Sequence, residues 1–376
     1  MAQDLQQPRS QTDEDFMPLI GVDHVEFYVG NARQAAFYYS NAFGFRVTGY
    51  AGPETKVRDR ASYVLEQGEA RYVFTGAMGP EGPIAQHVHE HGDGVKDVAF
   101  RVPDATDAFE QATSRGATPV LEPTILEDEH GKVVHSAIAA YGDTVHSFVE
   151  RENYSGPFLP GYRAEEPLPD DGPPVGIKLI DHVVCNVELG KMNEWVEFYA
   201  RILGFNQLVH FRDDQISSDY SALMSKVMWD GVGRVKLPIN EPAAGKKKSQ
   251  IDEYLEFYRG PGVQHVAMAT DDIVATVDAL RHRGVKFIRV PQTYYQRVRE
   301  QVGDIDESWD DVERLNVLAD RDEEGYLLQI FTKNVQDRPT VFYEVIERRG
   351  SRGFGVNNFK ELFLAIEREQ EERGNL

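Results

Sequence analysis

Four short strand-like stretches of one type recur along the chain, each opening with polar residues and continuing with apolar ones. They begin at residues 23, 96, 181 and 264 and read DHVEFYV, KDVAFRV, DHVVCNV and QHVAMAT. Each is followed by a segment with helical spacing of apolar residues that ends at a glycine, namely Gly44, Gly116, Gly204 or Gly284. Runs with strand character and turn residues come next. The pattern predicts a unit of one strand, one helix and about three strands, present four times.

The four units are expected to pair into two domains, which gives an α+β fold. Residues 156–176 are rich in proline, glycine and acidic residues and are typical of a linker between the second and third units. The predicted N-terminal domain therefore spans 16–155 and the predicted C-terminal domain spans 177–376. The polar residues 1–15 are expected to form a disordered tail.

Composition narrows the class of protein. The 376 residues are 41% hydrophobic and 27% charged, and no apolar run approaches the roughly 18 residues that a membrane span needs. A formal net charge of -22 would repel phosphate backbones, so nucleic acid is not expected as a partner. The chain has a single cysteine, Cys185, and its N-terminus lacks the pattern of a signal peptide, which together predict a cytoplasmic protein.

The two halves of the chain differ at three matched positions. The first strand of each half carries a histidine, His24 or His182. The frame GDGVKDVA in the first half and GPGVQHVA in the second place Asp97 opposite His265. A third frame, TVHSFVER against TVFYEVIER, places Phe148 opposite Glu344. The second half therefore offers two imidazoles and a carboxylate, whereas the first half does not.

Two histidines and one carboxylate from three strands suit a divalent metal. This facial set leaves coordination positions open on Fe(II) for a substrate and dioxygen, although zinc accepts the same ligand types. His182 and His265 occupy equivalent places in their repeats, so a pseudo-twofold axis should point both side chains into the same cup. We therefore expect His182, His265 and Glu344 to bind one metal ion in the C-terminal domain, while the N-terminal domain has no metal site.

The other histidines are interpreted differently. A lone histidine in a strand is more often a hydrogen-bonded structural residue than a ligand, and this interpretation is applied to His24, His210 and His282. The cluster HVHEHG, residues 87–92, is predicted to lie in a solvated loop that enters the second unit, rather than to bind a second metal.

The end of the chain predicts an amphipathic helix. Asn358 is a plausible N-cap, and Phe359, Leu362, Phe363 and Ile366 form an apolar stripe behind it. A final helix packed over the mouth of the cup would act as a lid that excludes water.

These repeats resemble a known family. Paired units of a strand, a helix and three strands are similar to the vicinal oxygen chelate fold, in which two modules form a cupped sheet around a metal. The runs NEWVEFYARILGF, YSALMSKV, LPINEPAAGKKKSQIDEYLEFY, ADRDEEGYLLQIFTKNVQDRPTVFYEVIERRG and GFGVNNFKELFLAIEREQ closely resemble the 4-hydroxyphenylpyruvate dioxygenases. The runs QAAFYYSNAFGF and HGDGVKDVAF resemble the bacterial members, so the resemblance covers nearly the whole chain.

The resemblance implies a cofactor, a reaction and a pocket. Fe2+ would be held by His182, His265 and Glu344. The 2-oxo acid of 4-hydroxyphenylpyruvate would chelate it, and reaction with O2 would give homogentisate and CO2 in tyrosine breakdown. No side chain beyond the metal site is expected to act as a catalytic residue. A homo-oligomer, dimer or tetramer, is implied. The implied substrate-binding residues are Ser225, Asn240, Gln250, Gln264, Gln329, Phe331, Phe354, Asn358 and Phe359.

Three alternatives share parts of this pattern. A 4-hydroxymandelate synthase would use the same substrate and ligands, although Pro238, Asn240 and Phe331 look more like those of the homogentisate-forming enzyme. A metal-free binding protein on this fold would not need the three ligands. A glyoxalase-like isomerase would be expected to use more carboxylate ligands.

Overall fold

The computed structural model describes residues 15–165, 173–211, 222–243, 245 and 247–375. The predicted tail, apart from Asp15, lies outside the described residues, as do positions 166–172 of the predicted linker. None of the helices in the described part is both long and apolar enough to cross a bilayer.

The described residues of the first half form nine strands and three α-helices. In chain order they are β1 (Gly21–Tyr28), α1 (Ala32–Phe43), β2 (Arg46–Ala51), β3 (Arg60–Gln67), β4 (Ala70–Ala77), α2 (Pro83–His91), β5 (Gly94–Arg101), α3 (Ala105–Ser114), β6 (Pro119–Asp128), β7 (Gly131–Ala139), β8 (Val145–Glu150) and β9 (Arg163–Ala164).

The described residues of the second half form eight strands and six α-helices. In chain order they are β10 (Ile177–Asn186), α4 (Met192–Ile202), β11 (Asn206–Phe211), β12 (Ala222–Trp229), β13 (Lys236–Ala243), α5 (Gln250–Tyr258), β14 (Gly262–Thr270), α6 (Ile273–His282), α7 (Gln292–Val302), α8 (Trp309–Arg314), β15 (Leu318–Arg321), β16 (Tyr326–Phe331), β17 (Phe342–Arg349) and α9 (Val356–Glu372).

The strands build two sheets with matching topology. The first runs β6-β7-β8-β5-β1-β4-β3-β2-β9, and the second runs β11-β12-β13-β10-β14-β17-β16-β15. In both sheets the two units meet through an antiparallel pair of their first strands, β1 with β5 and β10 with β14. The first strand of each unit also pairs in parallel with that unit's last strand. The predicted fourfold repeat is therefore confirmed, with α2, α5, α7 and α8 as additional helices.

Capping residues fix the ends of the repeated helices. The Asn31 side chain accepts a hydrogen bond from the Gln34 amide at the start of α1, and Gly44 ends that helix in the left-handed conformation with φ 71°. Asp104 and Asp272 cap α3 and α6 in the same way. The predicted stops at Gly44, Gly116 and Gly284 are confirmed, because each of these glycines follows its helix with a positive φ.

The prediction for the HVHEHG cluster is wrong. His87 and His91 lie on α2, and both residues are buried, whereas His89 is exposed. Pro83 in the first turn and Gly92 after the last one delimit the helix. The spacing of four residues places His87 and His91 on the same face as Ile84, and the polarity of the histidines hid this buried face from the sequence pattern.

A buried side-chain amide joins the first half to the start of the second half. The Gln67 side chain is buried at the end of β3. Its Oε1 accepts hydrogen bonds from the backbone amides of Val175, Gly176 and Ile177 at 2.8, 3.0 and 3.1 Å, where the chain enters β10. Its Nε2 donates to the carbonyl of Phe43 at 2.9 Å. Gln67 therefore fixes the start of the strand that carries His182.

Replacing Gln67 by leucine should destabilise the protein. The change leaves three amides and one carbonyl without their side-chain partner, and an unsatisfied buried polar group costs on the order of 1–3 kcal/mol. Denaturant unfolding should show this loss in the free energy of unfolding. Gln111→Leu, at a partly exposed position of α3, is the control. Equal stability of the Gln67 and Gln111 variants would contradict the role assigned to Gln67.

Candidate metal centre

The register of three strands brings the predicted ligands onto one face. Ala267 on β14 lies opposite His182 on β10 and also opposite Glu344 on β17. Directly paired residues point to the same face of a sheet, and so do residues two apart on one strand. His265 is two residues before Ala267 on β14. The three side chains therefore project into the same cup, around the small side chain of Ala267.

The donor atoms converge. Glu344 Oε2 lies 3.2 Å from His182 Nε2 and 3.4 Å from His265 Nε2. One ligand atom from each side chain lies within 4.8 Å of the others. All three residues are almost fully buried, at 1–2% exposure. Two imidazoles and one carboxylate in this arrangement fit a divalent transition metal.

The charges of the three side chains depend on one another. Burial alone would raise the pKa of Glu344, but the two imidazoles lower this pKa to about 2, so the carboxylate is ionised. Burial lowers the pKa of His265 despite the carboxylate beside it, which favours the neutral ligand form. Burial also acts to lower the pKa of His182, but Glu344 and Asp181 raise it above its usual value. In the metal-free protein the proton of the cluster therefore resides preferentially on His182.

An ionised carboxylate orients His182. Asp181 Oδ1 accepts a hydrogen bond from His182 Nδ1 at 2.8 Å, which leaves Nε2 directed at the cup. Arg348 donates twice to the Asp181 carboxylate at 2.8 and 2.9 Å, and Lys236 Nζ lies 3.1 Å from it. Burial would raise the pKa of Asp181, but Arg348 and Lys236 hold it well below its usual range. A fixed anion behind a ligating imidazole sets its tautomer and ring orientation.

Amide side chains orient the other two ligands. Gln264 Oε1 accepts a hydrogen bond from His265 Nδ1 at 3.1 Å. Gln329 Nε2 donates to Glu344 Oε1 at 2.8 Å, which leaves Oε2 for the two imidazoles. Asn358 Nδ2 in turn donates to Gln329 Oε1 at 2.9 Å, and Tyr294 Oη donates to Asn358 Oδ1 at 3.0 Å. A chain of hydrogen bonds therefore extends from α7 through α9 to the carboxylate.

The start of α9 corrects the predicted cap. Asn358 lies within the first turn, while Gly355 precedes the helix in the left-handed conformation with φ 67°. A Cβ atom on Gly355 would come within 2.7 Å of Gln329 Oε1 and 3.0 Å of Asn358 Nδ2. Glycine is needed here because it allows both the backbone conformation and this close approach. Asn358 therefore positions Gln329 instead of capping the helix.

Aromatic side chains wall the cup as expected from the resemblance. Phe354 meets the His182 ring edge-on at 5.0 Å between centroids, and Phe331 meets the His265 ring edge-on at 5.9 Å. Phe359 on α9 stacks on Phe211 of β11 at 5.3 Å. Leu362, one turn further along α9, also lines the cup. The final helix therefore covers His182, His265 and Glu344, as predicted.

A polar row crosses the cup beside the aromatic wall. Asn240 on β13 lies opposite both Ser225 on β12 and Asn186 on β10, so the three side chains share one face. Asn240 Nδ2 donates to Asn186 Oδ1 at 3.2 Å. The buried atoms Ser225 Oγ, Asn240 Oδ1 and Asn186 Nδ2 have no hydrogen-bond partner among the residues that the structure describes. Buried polar atoms of this kind require a partner, which a water molecule or a polar group of a ligand can supply.

The polar row includes one residue that the sequence analysis missed. Asn186 was not among the predicted pocket residues, although it ends the DHVVCN stretch that carries His182. Its counterpart in the first half is Tyr28, so a comparison of the halves at this position would have revealed the polar change. The missed apolar residues of the wall are Val184, Phe211 and Val227.

Two predicted pocket residues lie elsewhere. Gln250 and Gln264 line an adjoining cavity behind His265, together with Tyr254, Thr340 and Phe342. Phe342 stacks on the His265 ring at 4.8 Å and separates that cavity from the cup. Gln264 therefore contacts His265, one of the three candidate metal ligands. The structure does not bring Gln250 to the wall of the cup that contains Ser225. A role in substrate binding remains a prediction for both.

The first half repeats around His24 the support that surrounds His182. His24 Nδ1 donates to Asp23 at 2.8 Å, and Arg151 holds Asp23 at 2.7 Å, as Arg348 holds Asp181 in the second half. Phe158 meets the His24 ring edge-on at 4.9 Å, as Phe354 meets His182. Asp97 occupies the position that matches His265, and burial raises the pKa of its carboxyl group to about 6.

The counterpart of Glu344 is Ser147, so the predicted match with Phe148 is wrong. Asp97 pairs with Val145 and Phe100 pairs with Phe148, which places Ser147 opposite Ala99 and on the face of Asp97. Ser147 donates to the Asp97 carboxylate through its amide at 3.0 Å and also through its hydroxyl. In the second half, the last strand pairs one residue further along the chain than its counterpart in the first half. A shift of one residue exchanges the faces of a strand.

Two family models match the chain. Residues 14–157 match a model described as hydroxyphenylpyruvate dioxygenase, N-terminal. Residues 179–330 match a model described as the glyoxalase, bleomycin resistance protein and dioxygenase superfamily. The second match agrees with the vicinal oxygen chelate fold expected from the repeats.

Curated relatives match along nearly the whole chain. A 4-hydroxyphenylpyruvate dioxygenase of Dictyostelium discoideum is 48% identical, over 95% of this chain and 100% of the relative. Enzymes of the same name from Neurospora crassa and Yarrowia lipolytica are 47% and 45% identical, each over 95% of this chain and 93% of the relative. These matches do not test the predicted similarity to bacterial members in particular.

A solved structure shares the fold. A triple mutant of 4-hydroxymandelate synthase from Streptomyces coelicolor superposes with a TM-score of 0.85 at 34% identity. The match covers 94% of this chain and 100% of that one. The paired sheets and their order are therefore those of an established architecture.

Replacing Glu344 by glutamine should weaken metal binding strongly. The variant keeps the shape of the side chain but removes the negative charge between His182 and His265. Loss of partners that support a ligand typically costs 10–100-fold in affinity, so loss of a direct ligand should cost on the order of 100-fold or more. Anaerobic titration with Fe(II) measures the change. Ser147→Ala, at the matched position of the first half, should bind iron like the wild type, and similar affinities in all three proteins would contradict the assignment.

Replacing Gln329 by leucine should have a smaller effect. The change removes the donor to Glu344 Oε1 and the acceptor for Asn358 but leaves all three ligands in place. We expect iron affinity to fall by on the order of 10- to 100-fold, as is typical for groups that orient a ligand. Gln292→Leu, at an exposed position of α7, is the control. Wild-type affinity in the Gln329 variant would remove it from the set of positioning residues.

Proposed function

The chain belongs to the 4-hydroxyphenylpyruvate dioxygenase family, and on that premise we propose that it converts 4-hydroxyphenylpyruvate and O2 into homogentisate and CO2. This reaction belongs to tyrosine breakdown. The observation that carries the proposal is the convergence of His182, His265 and Glu344 on one point of a buried cup. Relatives that bear this enzyme name are 45–48% identical over 95% of the chain.

We propose Fe2+ as the metal. Bound Fe2+ would supply the positions for the 2-oxo acid and for dioxygen, together with the electrons that reduce oxygen. The chain would hold the ion through the two imidazoles and the carboxylate of Glu344. Asp181, Gln264 and Gln329 would keep these donors in the orientation that their hydrogen bonds already fix.

The cup would orient the aromatic substrate. Phe331, Phe354 and Phe359 offer apolar surfaces on either side of a phenyl ring, close to the ligating imidazoles. The polar row of Asn186, Ser225 and Asn240 offers one donor amide, one carbonyl oxygen and one hydroxyl without partners. We propose that a polar group of the substrate pairs with this row. Orientation and exclusion of water are then the main contributions of the protein.

The final helix would close the cup. Phe359 and Leu362 of α9 lie over the ligands, and Phe359 is stacked on Phe211 across the mouth. Opening of this contact would give a substrate access to the metal, so we propose that α9 moves during turnover. Closure would keep bulk water away from the reacting ring.

The second candidate is 4-hydroxymandelate synthase activity. It is favoured by the structural likeness to that enzyme at a TM-score of 0.85. The identity to that structure is 34%, whereas the curated dioxygenases reach 48%. The residues Pro238, Asn240 and Phe331 also resemble those of the homogentisate-forming enzyme. We therefore prefer homogentisate as the product.

We also propose a homodimer or homotetramer in the cytoplasm. Phe37 and Tyr38 on α1 are 58% and 39% exposed, and they offer an apolar contact for another subunit. The single cysteine, which is buried in β10, suits a reducing compartment. The net charge of -22 argues against a nucleic-acid partner.

Product analysis tests the proposed reaction. The iron-loaded protein should consume O2 in the presence of 4-hydroxyphenylpyruvate and release homogentisate and CO2, because the cup presents both the metal ligands and an aromatic wall. Chromatography with mass detection distinguishes the products. The Glu344→Gln variant, treated in the same way, is the control for reactions of free iron.

Three outcomes would contradict the proposed reaction. Formation of 4-hydroxymandelate without homogentisate would support the second candidate. The absence of O2 consumption with iron and substrate would instead indicate a binding protein. Turnover by the Glu344→Gln variant at the wild-type rate would remove the triad from the reaction.

A further inference from the structure

A second group of metal-ligating side chains lies at the contact between the two halves. His87 and His91 are four residues apart on α2, and Asp143 lies in the turn before β8. One ligand atom from each lies within 4.8 Å of the others. Both histidine residues are buried, while Asp143 reaches the surface. None of these residues lines the cup around His182.

The Asp143 carboxylate is the meeting point of this group. Its Oδ2 lies 2.7 Å from His87 Nδ1 and 3.8 Å from His91 Nε2. His91 Nδ1 donates to the backbone carbonyl of Tyr258 at the end of α5. Because Nδ1 carries the proton, Nε2 presents its lone pair towards Asp143. A carbonyl behind the imidazole fixes the tautomer in the way that is common for metal-binding histidines.

The second nitrogen of His87 points to the same interpretation. His87 Nε2 and Tyr258 Oη are buried and have no hydrogen-bond partner in the described part of the chain. Both atoms border the space beside Gly94, at 3.2 and 2.9 Å from the position that a Cβ atom would take there. With a cation on Nδ1, the Nε2 atom carries the proton and faces the phenol oxygen.

We propose that His87, His91 and Asp143 bind a divalent transition-metal cation with the ligand preference of Zn2+. Two imidazoles and one carboxylate suit this ion. The two histidines also have the i, i+4 spacing at which one helix face supplies two ligands. Lys96 Nζ lies 3.5 Å from Asp143 Oδ2 and donates to the Asp143 carbonyl. Its side chain is 21% exposed, so the ammonium group can turn to solvent when the cation takes its place.

The cation would join the two halves. α2 belongs to the first half, whereas Tyr258 of the second half stacks on His91 at 4.4 Å. Arg338, also of the second half, donates to the carbonyl of Glu90 at 2.7 Å at the end of α2. A cation that binds this assembled arrangement, but not the unfolded chain, stabilises the folded protein by mass action.

Zinc stoichiometry tests the proposal. Untagged full-length protein, freed of metal and dialysed against Zn2+, should retain two equivalents, one in the cup and one on α2. His91→Ala and Asp143→Asn should each retain one, and the matched control His89→Ala should retain two because His89 is exposed on the same helix. Zn2+ should also raise the melting temperature of Glu344→Gln but not that of Glu344→Gln/His91→Ala.

Defined results would overturn the proposal. A wild-type protein that retains a single equivalent, lost in Glu344→Gln and kept in His91→Ala, leaves no second site. Two equivalents in both His91→Ala and Asp143→Asn would place the second ion elsewhere. Asp143 is partly exposed, so its variant decides the result even where His91→Ala fails to fold. The outcome is independent of the reaction in the cup, which is measured by product formation.

Discussion

The cross-strand row through Ala267 is the constraint on which the site depends. His182 and Glu344 flank Ala267 on neighbouring strands, and His265 is two residues before it. A shift of one residue in either pairing would turn a ligand to the opposite face. The row is also buried, so an unpaired Glu344 carboxylate would be costly unless the imidazoles or a cation compensate it. Register and burial together bring two imidazoles and one carboxylate to one point of the sheet, which is the arrangement that the proposed metal site requires.

The two halves share one scaffold but differ at the positions of the proposed metal site. Each half has a histidine on its first strand, an aspartate before it and an arginine that pairs with that aspartate. Arg151 directly follows β8, and Arg348 lies on β17. The halves differ at the two other matched positions. In the first half Ser147 and Asp97 form hydrogen bonds with each other, whereas in the second half His265 and Glu344 face a common point. In the first half, Phe158 packs in a buried cluster with Val64 and Val73.

Much of this arrangement could be predicted from the sequence, within physical limits. The repeated strand starts predicted the four units, and the glycines predicted where the helices end. The three ligands followed from differences between the halves. The alignment of Glu344 with Phe148 failed because sequence frames do not record where a strand enters its sheet. The buried face of α2 was missed because histidine counts as a polar residue in the sequence pattern, although hydrogen bonds to its ring nitrogens allow it to be buried. Asn186 was missed because its place beside Asn240 and Ser225 depends on the pairing of neighbouring strands.

The central claim is that three strands of the second half hold one iron ion in the covered cup. Diffraction from crystals of the iron-loaded protein, measured on both sides of the iron absorption edge, tests it most directly. One anomalous peak at coordination distance from His182 Nε2, His265 Nε2 and Glu344 Oε2 is the predicted result. A peak beside His24 and Asp97 in the first half, or no peak in the cup while these three side chains point apart, would contradict the account.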